Sequence, residues 1–350
     1  MGKLKKINSI RRNIMQSLTK NVGNSIAIPC DIDTTDIRIK RVLINRPNGR
    51  LGNLLLITPL IQEVTEVFPD CKIDVFVKGN LAPILFKNYS NVNQIIPLPG
   101  KPFKQLIKYI STWVKLKKNK YDLVINVIPT SSSGRLSTKI ARSPYKIFGE
   151  LPETFQDNYC DCEHIAKHPV YSFREYLDTI GLSYNKNSIK PLDLKLQENE
   201  IEEGKQLLKS LVKNDKKTIC LFTYATGEKC HSKTWWREMY VTLQTHFPDF
   251  NIIEVLPKEN VSQIDFKATT FYSCDLREIG ALINSTTVFI GADSGMMHLA
   301  SAVHTPTLGL FSVTNQKMYE PYNKKSIAKN TNTCNIEDCI KAVKAILDTN

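Results

Sequence analysis

The chain has 350 residues, of which 42 % are hydrophobic, so there is ample apolar material for two α/β domains. A formal net charge of +13 excludes a neutral or acidic surface and calls for an acidic partner: nucleic acid, an anionic membrane or a phosphorylated glycolipid. Nine cysteines, odd in number and without a repeating spacing, argue against a disulfide framework and for reduced thiols in a cytoplasm.

No apolar run reaches the length of a membrane span, and no secretory h-region is present. Residues 1–40 read as a basic leader. Lys3, Lys5, Lys6, Arg11, Arg12 and Lys20 occur without an acid in the first twenty positions, and Leu4, Ile7, Ile10, Ile14 and Leu18 fall near one helical face. Two readings are open: an amphipathic helix lying on an anionic bilayer, or a solvated leader.

A first α/β domain is expected over 41–190. RVLINR (41–46) reads as a buried strand, followed by a Gly-containing loop, 47–52, and an apolar-rich helix from Asn53 to about Phe68. Strands follow at 72–77, 94–98 and 121–127, with a helix over about 102–116 between the last two and a short fifth strand at 145–148. The small polar loop PTSSSG (129–134), with Arg135 after it, is either a ligand-facing strand end or a solvent loop. His164, Lys167 and His168 either meet an anionic ligand or lie on the surface. Cys160-x-Cys162-x-His164 lacks the second ligand pair of a zinc finger. A helix at 173–180 and a linker at 184–196 close this half.

The second domain, 197–330, opens with a charged amphipathic helix to about Val212 and a strand at 218–224. Beyond it come the turn Thr226-Gly227, the cations Lys229 and Lys233, and a helix starting at Trp235-Trp236, with Trp235 expected to pack. NIIEVLP (251–257) is a strand in which Glu254 alternates outward; a short helix covers 275–284. VFI (288–290) is a buried strand, and Gly291-Ala292-Asp293-Ser294-Gly295 then leads into a helix carrying His298. Small residues between a strand end and a helix N-terminus suit an anion, because the first-turn N–H groups lack partners and the dipole is positive there. The alternative is an ordinary turn capped by Asp293. A strand at 307–311 follows, and a last helix occupies 335–350, expected to pack back across the domains.

The stretch GADSGMMHLASAVHTPTLGLF (291–311) resembles the signature of the heptosyltransferases, the family nine glycosyltransferases of lipopolysaccharide core assembly. Asp293, Ser294, Gly295, His298, Leu299, Ala300 and Pro306 match position by position; Ser312 stands where a glycine is common. Lys233 and Trp235 match the family's Lys-x-Trp pair beside the donor phosphates. The loop before residue 53 resembles the N-terminal element, except that the family's general-base Asp is Asn53 here, and an amide cannot act as a carboxylate base.

The resemblance implies a GT-B fold of two Rossmann-like domains facing across a cleft. It implies ADP-heptose as donor and a Kdo- or heptose-bearing inner core as acceptor, handled on the cytoplasmic face of the inner membrane. Asn53, Asp293 and Lys233 would be the catalytic positions. Thr226, Gly227, Lys233, Asp293, Ser294, Gly295 and His298 would hold the donor. The only Asp-x-Asp triplet, Asp31-Ile32-Asp33, lies in the leader, so no metal is expected and displacement would proceed with inversion. Three other readings stand beside this one. Asn53 favours an inactive transferase-like binding protein, no residue distinguishes heptose from another sugar, and the charge alone favours nucleic acid, without any recognisable binding module.

Overall fold

The computed structural model describes residues 37–100 and 104–348, together with Ser17 and Val22. The leader helix expected within residues 1–20 therefore lies, Ser17 apart, outside the described residues. Five strands form the first sheet: β1 (Arg41–Arg46), β2 (Lys72–Lys78), β3 (Val92–Leu98), β4 (Leu123–Asn126) and β5 (Tyr145–Ile147). Their order is β3-β2-β1-β4-β5, and every pairing is parallel. The second sheet holds β6 (Thr218–Phe222), β7 (Asn251–Val255), β8 (Thr269–Phe271), β9 (Val288–Ala292), β10 (Thr307–Phe311) and β11 (Ile327–Asn330), in the order β11-β10-β9-β6-β7-β8, again all parallel. The central strands β4, β6, β9 and β10 are buried at every residue, as expected of unbroken apolar runs covered by helices on both faces.

In each sheet the chain crosses over beside the first strand, between β1 and β4 and between β6 and β9. Such switch points open a crevice at the strands' C-terminal ends. The first crevice is filled by a helix that the sequence led us to expect as one piece. It is two, Leu51–Leu55 and Thr58–Val67. Pro59 has no N–H for the Leu55 carbonyl, and the Thr58 hydroxyl takes that carbonyl instead at 2.7 Å.

The core runs continuously from one sheet to the other. Leu54, Leu55 and Ile57 share a cluster with Met297, Leu299 and Ala300 of the Gly295–Ala302 helix. The segment expected as a plain linker is built into this junction. Leu192 and Leu194 are buried, the Leu194 N–H donates to the Ala302 carbonyl at 2.8 Å, and Tyr89 donates to the Asp193 carbonyl at 2.6 Å.

Two expectations are corrected. Glu254, expected to point outward on β7, is fully buried; its carboxylate accepts from Thr223 at 2.5 Å and Ser262 at 2.7 Å, and burial raises its pKa. The Ile336–Asp348 helix does not cross to the first sheet but packs on the Lys233–His246 helix and on β9–β11.

Candidate active site

The two halves meet where Leu51–Leu55 crosses the start of Gly295–Ala302. A Cβ on Gly52 would lie 2.6 Å from His298 Cδ2, and one on Gly295 would lie 3.0 Å from Leu51 Cβ. Only glycine lets these two helices approach so closely. The loops at the ends of β1 and β9 are thereby brought together.

From the first half come Arg46 and Asn53. Arg46, the last residue of β1, is buried and donates from Nη2 to Asn53 Oδ1 at 2.7 Å. Desolvation lowers its pKa to about 10, opposed by the nearby Tyr319, so the guanidinium stays charged near neutrality. Asn53 is thus an acceptor for a buried cation.

From the second half come Asp293, Ser294 and His298. Ser294 is the N-cap of the Gly295–Ala302 helix, its hydroxyl accepting from the Met297 N–H at 3.5 Å. Asp293, read from the sequence as a possible cap, is released from that duty. Its Oδ2 pairs with Lys229 Nζ at 2.5 Å and also accepts from the Thr314 hydroxyl. His298 Nε2 lies 4.0 Å from Asp293 Oδ1; burial pushes its pKa down to about 4, so this is a polar contact of a neutral ring and not an ion pair. Tyr319 closes the group, its ring 6.0 Å from Lys229 Nζ and 6.5 Å from the His298 ring.

The remaining expected residues are placed as follows. Thr226 and Gly227 are exposed at the end of β6, where Gly227 has φ +69° and opens a single 3-10 turn that carries Lys229. Lys233 begins the Lys233–His246 helix and is half-exposed, its Nζ 2.9 Å from Asp265, which also binds Arg237. The structure therefore brings Lys229, and not Lys233, to Asp293. Trp235 is partly buried and lies against His231, ring centroids 4.5 Å apart.

Thr314, Tyr319 and Arg46 were not singled out from the sequence, and Lys229 was noted as a cation while the phosphate role was given to Lys233. A signal for Thr314 exists in the register. Leu310 pairs with Ala292, so the residues just after β10 fall beside Asp293.

The first-domain candidates are engaged in contacts within the protein. The PTSSSG loop is mostly the start of the Ser132–Ile140 helix, with Ser131 as its cap; Arg135 is buried and paired with Glu150. His164 is buried at the junction. Its Nδ1 accepts from the Ala166 N–H, so Nε2 carries the proton and donates to the Glu320 carbonyl at 2.9 Å. Lys167 pairs with Asp161 and lies 4.5 Å from the Tyr322 ring centroid. His168 bonds the Gly149 and Cys162 carbonyls. Among the described residues no three His, Cys, Asp or Glu side chains converge on a point that could hold a cation.

The model of glycosyltransferase family 9 (heptosyltransferase) matches residues 109–346, most of the chain and all of its second sheet. The chain belongs to glycosyltransferase family 9. Among the relatives of this family 9 glycosyltransferase is lipopolysaccharide heptosyltransferase 1 of Campylobacter coli, 25 % identical over 284 residues that cover 75 % of the chain and 82 % of the relative. Another is lipopolysaccharide heptosyltransferase 3 of Escherichia coli K12, 24 % identical over 294 residues, covering 79 % and 84 %. In fold the enzyme resembles a family 9 glycosyltransferase from Veillonella parvula, with a TM-score of 0.70 at 17 % identity over 90 % of this chain and 99 % of that one. It also resembles E. coli heptosyltransferase WaaC, solved with ADP, with a TM-score of 0.62 at 15 % identity over 87 % and 99 %. The architecture is GT-B. Among the described residues no helix is long and apolar enough to cross a membrane.

Proposed function

We propose that this glycosyltransferase moves a heptose from ADP-heptose to the inner core of lipopolysaccharide, at the cytoplasmic face of the inner membrane, with inversion and without a divalent metal. The observation that carries this reading is the convergence of Lys229, Asp293 and Thr314 with Arg46 and Asn53 at the Gly52–Gly295 crossing. The names of its relatives, and the ADP bound to WaaC, support the donor and acceptor classes.

In this mechanism the diphosphate lies against the N-terminus of the Gly295–Ala302 helix. The Gly295 and Met296 N–H groups of its first turn have no intrahelical acceptor, and Ser294, which caps the Met297 N–H, has a hydroxyl proton to donate. Lys229 exchanges Asp293 for the phosphate oxygens and offsets the negative charge that builds as the anomeric C–O bond breaks. Thr226, Gly227 and Lys233 border the same end of β6 and the following helix, and His298 keeps a neutral ring beside the sugar. The acceptor hydroxyl attacks the anomeric carbon from the opposite face, and the leaving diphosphate keeps the electron pair. The hydroxyl proton passes to Asp293, freed of its lysine, because Asn53 cannot take it.

The test is transfer from ADP-heptose to a truncated inner-core acceptor, read by mass spectrometry with and without EDTA. We expect chelator-resistant product, a fall in kcat/KM of about tenfold or more in Lys229→Ala, where a charge-assisted phosphate contact is lost, and near-complete loss in Asp293→Asn. Full activity in Lys229→Ala would remove the lysine from the site. Transfer from a different sugar nucleotide, with ADP-heptose inert, would overturn the donor. A second reading, a donor-binding protein without turnover, is favoured by Asn53 alone. It predicts wild-type binding of ADP-heptose with no product, and product from Asn53→Asp.

A further inference from the structure

The Leu106–Lys118 helix has two apolar faces, and among the described residues only one of them is covered. Thr112 and Leu116 are buried beneath it, and Trp113 packs edge-on against Phe76 of β2 with ring centroids 5.7 Å apart. On the opposite face Ile107, Ile110 and Val114 stand at i, i+3 and i+7, exposed to 86 %, 53 % and 45 %, with Leu106 beside them at 54 %. They are among the most exposed large apolar side chains described. A contiguous ridge of this kind on one helix differs from singly scattered surface residues and marks an interaction surface.

The charge around the ridge identifies the partner. Residues 101–120 contain seven lysines and no Asp or Glu. Lys104, Lys108, Lys115, Lys117, Lys118 and Lys120 are exposed, with Lys108 and Lys115 along one flank of the ridge and Lys117 along the other. An apolar stripe bordered by lysines matches the boundary of an anionic bilayer, where aliphatic side chains enter the acyl region and ammonium groups stay among the phosphates. Nucleic acid would reward the lysines but leave the four aliphatic side chains in water.

We infer that the Ile107–Ile110–Val114 ridge of this helix is a docking surface for an anionic lipid bilayer. The inference rests on the proposed reading that the acceptor is presented on a membrane, and it names the surface that would meet that membrane. Binding there would hold the first sheet, on which the helix packs, beside the lipid that carries the acceptor.

The test uses the full chain with phosphatidylglycerol–phosphatidylcholine vesicles and with pure phosphatidylcholine vesicles, read by co-sedimentation. The wild type should prefer the anionic vesicles. Ile107→Gln with Ile110→Gln should weaken that binding roughly tenfold, through loss of buried aliphatic area. Lys108→Glu with Lys115→Glu should remove the preference for anionic lipid and its salt dependence. Both variants should keep the wild-type melting temperature and transfer to a water-soluble acceptor. Unchanged vesicle binding in both would overturn the proposal. So would a lipid-free dimer that the isoleucine changes dissociate. Hydrogen-exchange protection of residues 106–118 without lipid, lost on deleting residues 2–36, would assign the ridge to the leader instead. Vesicle binding through these residues without heptose transfer would count against the proposed activity and leave this surface standing.

Discussion

His298 and His164 are both buried, and desolvation takes each pKa from 6.5 down to about 4. The unfolded chain therefore binds these two protons at a higher pH than the folded one. Stability is insensitive to them above about pH 7, falls as pH drops from 6.5 to about 4, and levels off below. Each ring accounts for roughly 2–3 kcal/mol over that window. Urea unfolding at pH 7 and pH 5 should show the loss, and His164→Gln should reduce it; an equal loss in that variant would exclude His164 as a source. At this scale the sequence was most legible where residues share one local element. Asp293, Ser294, Gly295 and His298 fall within six positions, so strand, cap and helix periodicity place them together. The lysines were not legible in this way. Lys229 and Lys233 lie in a turn and at a helix start, where no period says which one turns inward. The αL backbone of Gly227 and the Asp265–Arg237 pair settle it in the fold.

Gly204, in the Glu198–Val212 helix, meets the Leu276–Asn284 helix so closely that an added Cβ would lie 2.3 Å from the Ala281 carbonyl oxygen. Alanine is the better helix former by about 1 kcal/mol, yet here the backbone opposite would have to move. Gly204→Ala should lower stability by about 1–3 kcal/mol, seen as a lower urea midpoint with an unchanged slope. A higher midpoint would mean that the two helices separate easily. The sequence announced the elements whose apolar runs are long, such as β1, β4 and β9. It gave no sign of β8 or β11. β8 is a three-residue edge strand, Thr-Thr-Phe, and β11 is an edge strand with no buried residue. Pairing with β7 and β10, more than local preference, makes them strands.

Arg277 ties the whole molecule together. Its guanidinium pairs with Glu200 at 2.5 and 2.7 Å and donates to the carbonyls of Ile84, Leu194 and Lys195. One side chain thus joins a helix of the first half, the connecting segment and the second half. Hydrogen bonds from Arg277 lower the Glu200 pKa from 4.5 to about 2. That contribution is fully present above about pH 5 and disappears as pH falls toward 2. Arg277→Ala should lower stability by about 3–5 kcal/mol, because it takes the cationic partner from the mostly buried Glu200 carboxylate and a donor from the Ile84 and Leu194 carbonyls, while Asn88 still serves the Lys195 carbonyl. It should also flatten the acid limb between pH 5 and 2. An unaltered acid limb would show that Glu200 does not depend on this arginine. The alternation of strands and helices foretold two parallel sheets, but not how they abut. Contacts such as Gly52 with His298 join distant parts of the chain, and nothing local encodes them.

On the proposed mechanism, the amide at position 53, at the crossing of the two halves, would affect timing as well as proton transfer. With Arg46 and Lys229 both cationic and Asp293 the single carboxylate among them, the crossing keeps one unneutralised positive charge that a carboxylate at 53 would cancel. A pocket with surplus charge grips a spent diphosphate as well as an intact donor. Turnover would then be governed by departure of the nucleotide after the bond has already been made, and rapid-mixing experiments should show a burst of product followed by a slower steady rate. With the proposed donor, Asn53→Asp would loosen that grip, raising the dissociation rate of the nucleoside diphosphate severalfold and removing the burst.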